Sequence, residues 1–177
     1  MINDYYWLKN AHIPTCLMKD SQGIIPQTRE NLFLADIKIK GEKIAEIIPS
    51  SPDTVGIDLR QGIVLPCFVD IHTHLDKAYS GVRSPNLQGD FMTALETIHQ
   101  DKVYWDEQDL YQRMNFALQC SYCHGTIALR THLDSEGERG DLSLRIWQQL
   151  KKEWEGKINL QAVSLVGLDY FLTEEGE

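Results

Sequence analysis

The sequence predicts an α/β protein, with a small β domain over residues 1–61 and alternating strands and helices over residues 62–177. Two observations support this prediction. In the first region, apolar and charged residues alternate on both sides of a glycine, which is typical of a β-hairpin. In the second region, short apolar runs are separated by segments with helical periodicity. This order predicts right-handed crossovers and a parallel sheet.

The clearest segment of the first region is ADIKIKGEKIAEII at positions 35–48. Its alternation has the period of two that a half-buried strand requires, and Gly41 marks the turn. Pro49 and Pro52 close the segment, because proline cannot donate a ladder hydrogen bond. We therefore expect a half-buried hairpin here.

Three apolar runs in the second region predict three strands. The first, GIVLPCFVDIH at positions 62–72, is nearly continuously apolar, as expected for a parallel strand buried on both faces. The second strand covers positions 126–132, and the third covers positions 158–166.

Three helices are expected between and beside these strands. The first begins after Asp90 and the second after Asp106, because aspartate caps helix N-termini; the second ends at Gly125 and the third covers positions 141–155. Their apolar stripes consist of Phe91, Met92, Leu95 and Ile98, then Leu110, Met114, Ala117 and Leu118, then Leu142, Ile146, Leu150 and Trp154. The segment 77–103 is long enough to cover a binding site, although ordinary packing of its short helix is the alternative.

Polar side chains gather at the C-terminal ends of the first two strands. Since successive strand residues point to opposite faces, one face of the first strand carries Asp70, His72 and His74, and one face of the second carries Arg130, His132 and Asp134. The opposite faces are apolar and suited to helices. Polar side chains in a row have a natural position in the mouth of a (β/α)8 TIM-type barrel, where barrel active sites lie.

His72 and His74 are the candidate metal ligands. Two imidazoles on the same side of one strand end are close enough to hold one cation, and imidazole suits Zn²⁺ or Fe²⁺ better than Mg²⁺ or Ca²⁺. One divalent metal ion, zinc or iron, is therefore the expected cofactor. The alternative is a pair of ordinary polar residues at a strand end.

Four neighbouring residues are candidates for substrate contact or for supporting the metal site. His132 and Arg130 are candidates for contact with substrate, and His132 also for the metal. The alternative for His132 is a structural hydrogen bond to Arg130 or Asp134. Asp70 and Asp76 are candidates to orient the ligand histidines through hydrogen bonds; for Asp76, capping of a loop is an equal alternative.

Composition excludes several classes of partner. The net charge of −9 argues against nucleic acid, because phosphate binding needs clustered Lys and Arg. We expect no membrane span and no secretory signal, and hence a cytoplasmic location with free thiols. Cys120, Cys123 and His124 match the C-x-x-C-H pattern of haem attachment. The alternative is that these residues pack in the last turn of the second helix.

The residues around the histidines resemble a known family. The segment IDLRQGIVLPCFVDIHTHLDK at positions 57–77 resembles the entry to the first barrel strand of the amidohydrolase superfamily. The segment GTIALRTHLD at positions 125–134 is similar to the second strand of its cytosine-deaminase branch, and the hairpin at 35–48 is similar to its small β domain.

This resemblance implies a (β/α)8 barrel with a metal at its mouth, held by His72, His74 and residues of later strands. It implies hydrolysis of C–N bonds in cyclic amidines or amides of a small nitrogen heterocycle. One departure concerns the substrate, because Gly167 stands where cytosine deaminases usually have a pyrimidine-reading glutamine.

The length allows only the first three βα units, since a barrel of this type takes ~250 residues. Catalytic residues are expected on later strands and none is assigned within the chain. We therefore expect little or no deaminase activity from these 177 residues alone, and an exposed apolar edge. The alternative is a non-catalytic module that forms a homo-oligomer or pairs with a C-terminal half of the barrel.

Overall fold

The computed structural model describes residues 5–19, 28–174 and 176. The chain has a mixed α/β architecture and divides into two compact units, Met1–Pro66 and Cys67–Glu177. No helix among the described residues is long and apolar enough to cross a membrane.

The first unit contains a four-stranded sheet. Its strands are β1 (Tyr5–Pro14), β2 (Leu32–Lys40), β3 (Lys43–Pro49) and β4 (Ile57–Asp58), in the order β3-β2-β1-β4. The predicted hairpin is confirmed, because β2 and β3 pair antiparallel and Gly41 has the positive φ of +58° that the turn requires. A small apolar core consists of Ala11, Ile13, Phe33, Ala35 and Ile37.

Residues 62–66 belong to this sheet region and not to the strand predicted over positions 62–72. The His12 N–H donates to the Gly62 carbonyl at 2.9 Å, and the Val64 N–H donates to the His12 carbonyl at 2.8 Å. Strand structure resumes only after Pro66, which has no N–H to donate to a ladder. The apolar run is therefore divided between two elements.

The second unit contains three parallel strands, β5 (Phe68–Thr73), β6 (Thr126–Asp134) and β7 (Asn159–Leu165), in the order β5-β6-β7. Three helices accompany them: α1 (Phe91–Asp101), α2 (Glu107–Cys123) and α3 (Gly137–Glu153). This order of strands and helices is the predicted one.

Two of the predicted helix caps are confirmed. The Asp90 carboxylate accepts from the Thr93 N–H at 3.0 Å, and the Asp106 carboxylate accepts from the Asp109 N–H at 2.8 Å. Helix α3 begins four residues earlier than predicted, because Gly140 is a packing residue and not a loop residue. A Cβ at Gly140 would lie 2.4 Å from the Ser135 carbonyl carbon, so only glycine allows this approach.

The core of the second unit lies between the helices and the sheet. Its members include Leu110, Met114 and Leu118 of α2, Leu142, Ile146 and Leu150 of α3, and Leu129 and Leu133 of β6. The predicted stripes of α2 and α3 are thus confirmed.

The prediction that the first strand is buried on both faces is wrong. Val69 and Ile71 in β5 are 62% and 69% exposed. The reason is that β5 pairs with β6 alone in the described part of the chain, and the buried core includes neither of these two side chains. The expected exposure of an apolar sheet edge is confirmed.

Candidate functional site

The candidate site lies at the C-terminal end of β5. The register between β5 and β6 shifts between Asp70 and Thr73, so the strand bulges just before it ends. Within the bulge the Asp70 carboxylate accepts from the backbone N–H of His72 at 3.1 Å. Asp70 therefore supports the backbone of His72, whereas the sequence suggested that it would orient an imidazole ring.

Three imidazole rings gather at this strand end. The ring centroid of His72 lies 5.3 Å from that of His74 and 4.2 Å from that of His132, and the centroids of His74 and His132 are 5.8 Å apart. His132 belongs to β6, so two neighbouring parallel strands supply the cluster. The structure thus brings together three of the sequence-predicted site residues.

A hydrogen bond to the backbone fixes the state of the His74 ring. Nδ1 of His74 lies 3.0 Å from the carbonyl oxygen of His132, so Nδ1 carries the proton and donates. In the neutral ring Nε2 then keeps its lone pair, the form in which imidazole binds a metal. The adjacent Leu75 N–H donates to the buried hydroxyl of Thr131 at 3.0 Å, which ties the exit of β5 to β6.

His132 is held in an environment that disfavours its charged form. Partial burial lowers the pKa of His132, and the neighbouring His72 and His74 lower it further. Its Nδ1 is buried and forms no hydrogen bond with any residue that the structure describes. A buried ring nitrogen without a partner is a position whose hydrogen-bonding capacity a ligand could satisfy.

The donor set matches a divalent transition metal in type, although not in number. Imidazole nitrogen suits zinc or iron, and one ring is already oriented by a carbonyl, as ligand histidines usually are. Among the described residues, however, no three His, Cys, Asp or Glu side chains converge on a single metal position. His72 and His74 therefore fit as part of a ligand set.

Two carboxylates and two lysines lie next to the histidines. Asp134 Oδ1 is 2.6 Å from Lys77 Nζ and Oδ2 is 2.9 Å from Lys102 Nζ. Burial would raise the pKa of Asp134, but the hydrogen bonds and charges of Lys77 and Lys102 outweigh burial and lower it.

Asp76 differs because it is fully buried. Its Oδ2 accepts from the Asp134 N–H at 2.9 Å and lies 3.5 Å from Lys77 Nζ, whereas Oδ1 has no hydrogen-bond partner in the described part of the chain. Burial raises the pKa of Asp76, and the nearby charge of Lys77 opposes that shift only partly. Asp76 thus joins the ends of β5 and β6, and its hydrogen bonds among the described residues include none from an imidazole.

A cavity of about 990 Å³ opens beside these groups, and its lining includes His72, His74, Lys77 and Asp134. Helix α1 contributes both apolar and polar side chains to the lining: Phe91, Ala94, Leu95, Glu96, Ile98, His99 and Gln100. Sequence reasoning missed Lys77 and Lys102. The only signal for Lys77 was its position directly after the histidine motif, and nothing in the sequence marks Lys102.

Arg130 lies away from the cavity lining. Its guanidinium is exposed, and Nε and Nη2 donate to Gln161 Oε1 on β7 at 3.1 and 2.8 Å. The alternative expected from the sequence was a hydrogen bond between His132 and Arg130. The hydrogen bonds of Arg130 among the described residues go to Gln161 and do not include His132.

Cys120, Cys123 and His124 lie at the end of α2. His124 Nδ1 donates to the Cys120 carbonyl at 2.7 Å, so the histidine closes the last helical turn. This contact supports the interpretation of the C-x-x-C-H pattern as a helix terminus.

Known proteins are similar to nearly the whole chain. It is 36% identical over 171 residues to the pterin deaminase of Rhizobium rhizogenes, covering 94% of this chain and 38% of that protein. It is 28% identical over 149 residues to the N-isopropylammelide isopropyl amidohydrolase of Pseudomonas sp. strain ADP, and the match covers 80% of this chain and 37% of that protein. The chain thus spans less than two fifths of the length of these relatives. No protein-family model matches it.

Solved structures share the fold. The 5-methylcytosine deaminase of Klebsiella pneumoniae liganded with 5-fluorocytosine superimposes with a TM-score of 0.65 at 21% identity, covering 89% of this chain and 36% of that one. The N-isopropylammelide isopropylaminohydrolase of Burkholderia multivorans gives a TM-score of 0.59 at 22% identity, and the match covers 91% of this chain and 37% of that one. At these identities the likeness concerns the fold alone.

Proposed function

Because the chain belongs to the deaminase branch of the amidohydrolase superfamily and matches the N-terminal portion of those enzymes, we propose that it forms part of a metal-dependent hydrolase. The proposed reaction is hydrolysis of a C–N bond in a cyclic amidine or amide of a small nitrogen heterocycle. The observation that carries the proposal is the cluster of three imidazoles at the ends of two adjacent parallel strands.

The proposed architecture is a small β domain followed by the first three βα units of a (β/α)8 barrel. The boundary lies after Pro66 and not after residue 61, because Gly62 and Val64 pair with His12. In support, the three strands are parallel and neighbours in chain order, and the candidate site lies at their C-terminal ends, as in such barrels.

In this proposal His72 and His74 are ligands of one zinc or iron ion, and His132 contributes to the same site. A divalent ion held there supplies Lewis-acid chemistry, which makes water a nucleophile near neutral pH and polarises the bond under attack. The carbonyl of His132 holds His74 in the tautomer required of a ligand. Asp70 holds the backbone of His72.

Asp76 and the Lys77–Asp134 pair have a positioning role in the proposal. Both carboxylates bridge the exit of β5 to the end of β6, and they fix the direction in which the two histidines leave the strand. Arg130 is proposed to contact only substrate groups that extend beyond the cavity lining, with its guanidinium held by Gln161 Oε1.

We further propose that these 177 residues alone have little or no turnover, since the described residues supply only part of a ligand set. The likeness to deaminases and amidohydrolases favours a hydrolase over the alternative of a non-catalytic assembly module.

Metal binding tests the central claim. Titration with Co²⁺, followed by its visible absorption, is expected to show one site per chain. The double variant His72→Ala with His74→Ala is expected to bind at least about tenfold more weakly, in line with the loss of direct ligands. His124→Ala removes an exposed histidine at the end of α2 and is the matched control. Equal Co²⁺ affinity in all three proteins would exclude this metal site.

Ammonia release tests the proposal on turnover. The purified chain, supplied with Zn²⁺ or Fe²⁺ and a panel of cyclic amidines, is expected to release ammonia slowly or not at all. Sustained turnover would refute the claim of inactivity while supporting the proposed reaction class.

A further inference from the structure

A turn of residues 74–78 carries the chain from the end of β5 past the candidate site. Its own hydrogen bonds are long. The Lys77 N–H donates to the His74 carbonyl at 3.3 Å, and the Ala78 N–H donates to the Leu75 carbonyl at 3.2 Å. A single 3-10 turn with such bonds has little stability of its own, because its hydrogen-bond geometry is poorer than that of an α-helix. Contacts from other elements must therefore fix its direction.

Arg113 of α2 supplies such contacts, because its guanidinium is shared between the turn and its own helix. Nη1 donates to the carbonyl oxygens of Asp76 and Ala78 at 2.6 and 2.9 Å. Nε and Nη2 donate to Asp109 Oδ2 at 2.9 and 2.8 Å. The side chain is only 11% exposed. A planar set of donors satisfies both directions at once, which a lysine ammonium in the same place could not do.

The partners of Asp109 connect Arg113 to the end of α1. Asp109 Oδ1 accepts from Arg83 Nη1 at 2.8 Å, and Arg83 Nε donates to Asp101 Oδ1 at 2.8 Å. Asp101 is fully buried and also accepts from the indole N–H of Trp105 at 2.9 Å. The guanidinium carbon of Arg113 lies 5.6 Å from the centroid of the Trp105 ring. These groups hold the guanidinium in one orientation without relying on the turn itself.

The ion pair between Asp109 and Arg113 alone would be an ordinary i, i+4 contact that stabilises α2. The two carbonyl contacts are different, because they join residues 37 and 35 positions apart in the sequence. They orient the peptide group before Lys77 and the peptide group after Ala78. Lys77 lines the cavity, and its Nζ lies 2.6 Å from Asp134 Oδ1. Fixing the backbone on both sides of Lys77 determines where its side chain enters the cavity.

We propose that Arg113 is a positioning residue of the histidine site, which fixes the turn so that Lys77 enters the cavity and His74 stays bonded to the His132 carbonyl. This inference rests on the proposed function, because it adds a residue to the same site. Arg113 acts through the backbone carbonyls of residues 76 and 78, so no contact of Arg113 with a metal or a substrate is required.

The tautomer of His74 tests the proposal without any metal. At about pH 8 an imidazole of ordinary pKa is neutral, and ¹⁵N–¹H correlation spectra distinguish its two tautomers. In the parent chain we expect the Nδ1–H form, which donates to the His132 carbonyl. In Arg113→Met we expect a mixture of both forms. We also expect at least about tenfold faster hydrogen exchange at the amides of residues 75, 77 and 78, because the turn has lost two charge-assisted hydrogen bonds.

Arg113→Lys and Arg139→Met complete the comparison. Arg113→Lys keeps the charge but not the planar fork, so it should recover only part of the protection. Arg139→Met is the matched control, because Arg139 also donates to a backbone carbonyl of the same unit, that of Trp105. It should leave the tautomer of His74 and the exchange of the turn unchanged.

Parent-like tautomer and exchange in the Arg113 variants would overturn the proposal. An equal acceleration of exchange in β7 would also overturn it, because the role of Arg113 would then be general stability. If Arg113→Met does not fold, the same two measurements on Arg113→Lys decide.

Co²⁺ titrations separate this inference from the metal site. If the parent chain binds Co²⁺, Arg113→Met is expected to bind it about tenfold more weakly, the usual effect of disturbing the groups that orient a ligand. A parent chain that binds no Co²⁺, together with a changed His74 tautomer in Arg113→Met, would support the positioning role and overturn the metal site alone. Parent-like Co²⁺ affinity and tautomer in both Arg113 variants would overturn the positioning role alone.

Discussion

Strands β5 and β6 have the same alternation of apolar and polar residues and different surroundings. In β6, Leu129, Thr131 and Leu133 are buried. In β5, Asp70 is the register partner of Leu129, whereas Val69 is the partner of Ala128 and therefore lies on the opposite face from Leu129. Val69 and Ile71 are exposed, and β5 has a strand partner on one side only among the described residues. The comparison teaches that alternation within a strand does not by itself determine which side chains of two strands share a face, because the register between the strands decides it.

The exits of the two strands also differ. The chain leaves β6 by a short turn in which the Ser135 N–H donates to the Leu165 carbonyl. The chain leaves β5 by a long segment held by charges: the Arg113 guanidinium donates to the carbonyls of Asp76 and Ala78, and Arg83 is paired with Asp101. Backbone contacts secure one exit, and ion pairs secure the other.

The largest effect on stability is expected when one apolar side chain in each strand is truncated to alanine. Leu129→Ala in β6 should lower the free energy of unfolding by about 2–5 kcal/mol, because it leaves a cavity in the core. Ile71→Ala in β5 should change it by no more than about 0.5 kcal/mol, since Ile71 is already in contact with solvent. Urea unfolding followed by tryptophan fluorescence measures both. Similar losses for the two variants would mean that β5 is covered in solution.

Acid should loosen the exit of β5 before that of β6. Hydrogen bonds from Arg83, and then from Ser84 and Trp105, hold the pKa of the buried Asp101 carboxyl far below its ordinary value of 3.8, despite burial. A lowered folded-state pKa contributes stability that is fully present above the unfolded value and is lost as pH falls below it. Hydrogen exchange of the amides in 80–84 should therefore accelerate below about pH 4 relative to those of β6.

Asp101→Asn is the matched variant for this acid effect. It keeps the shape of the side chain and loses charge-assisted hydrogen bonds, so we expect a loss of about 1.5–3 kcal/mol at neutral pH and a flatter acid response. An acid response identical to that of the parent chain would assign the effect to another carboxylate.

The fold was largely predictable because its signals are local. The hairpin turn at Gly41 and the caps at Asp90 and Asp106 depend on neighbours within a few residues. The division of positions 62–72 between two elements was not predictable, because Gly62 and Val64 pair with His12, which lies about fifty residues earlier in the sequence. The pairing of β5 with β6 alone also depends on residues that are distant in the sequence.

The candidate site was predictable where side-chain alternation on a strand is sufficient. Alternation predicted that His72 and His132 end on polar faces, and their rings do meet. It could not predict that Arg130 pairs with Gln161 or that Lys102 reaches Asp134, since long side chains choose partners from other elements.

Removing the hydrogen bond between the Leu75 N–H and the Thr131 hydroxyl, which links the exit of β5 to β6, should have an intermediate effect on stability. Thr131→Val keeps the shape of the side chain but removes the acceptor of the Leu75 N–H, and an unsatisfied buried amide costs about 1–3 kcal/mol. Because Leu75 follows His74, Co²⁺ affinity should fall together with stability. Thr126→Val makes the same chemical change at the other end of β6 and should leave Co²⁺ affinity unchanged; a loss of affinity there as well would mean that the effect is not specific to the β5 exit.

The smallest effect is expected at the bulge of β5. Asp70→Ala removes the acceptor of the His72 N–H, but this residue is only half-buried, so water can replace the carboxylate and the loss should be about 0.5–1 kcal/mol. Asp70→Asn keeps an acceptor oxygen and should recover most of that loss in the same urea titration. If Asp70→Ala instead abolished Co²⁺ binding while stability changed little, the carboxylate would be acting on the metal site directly, and β5 would differ from β6 in chemistry as well as in burial.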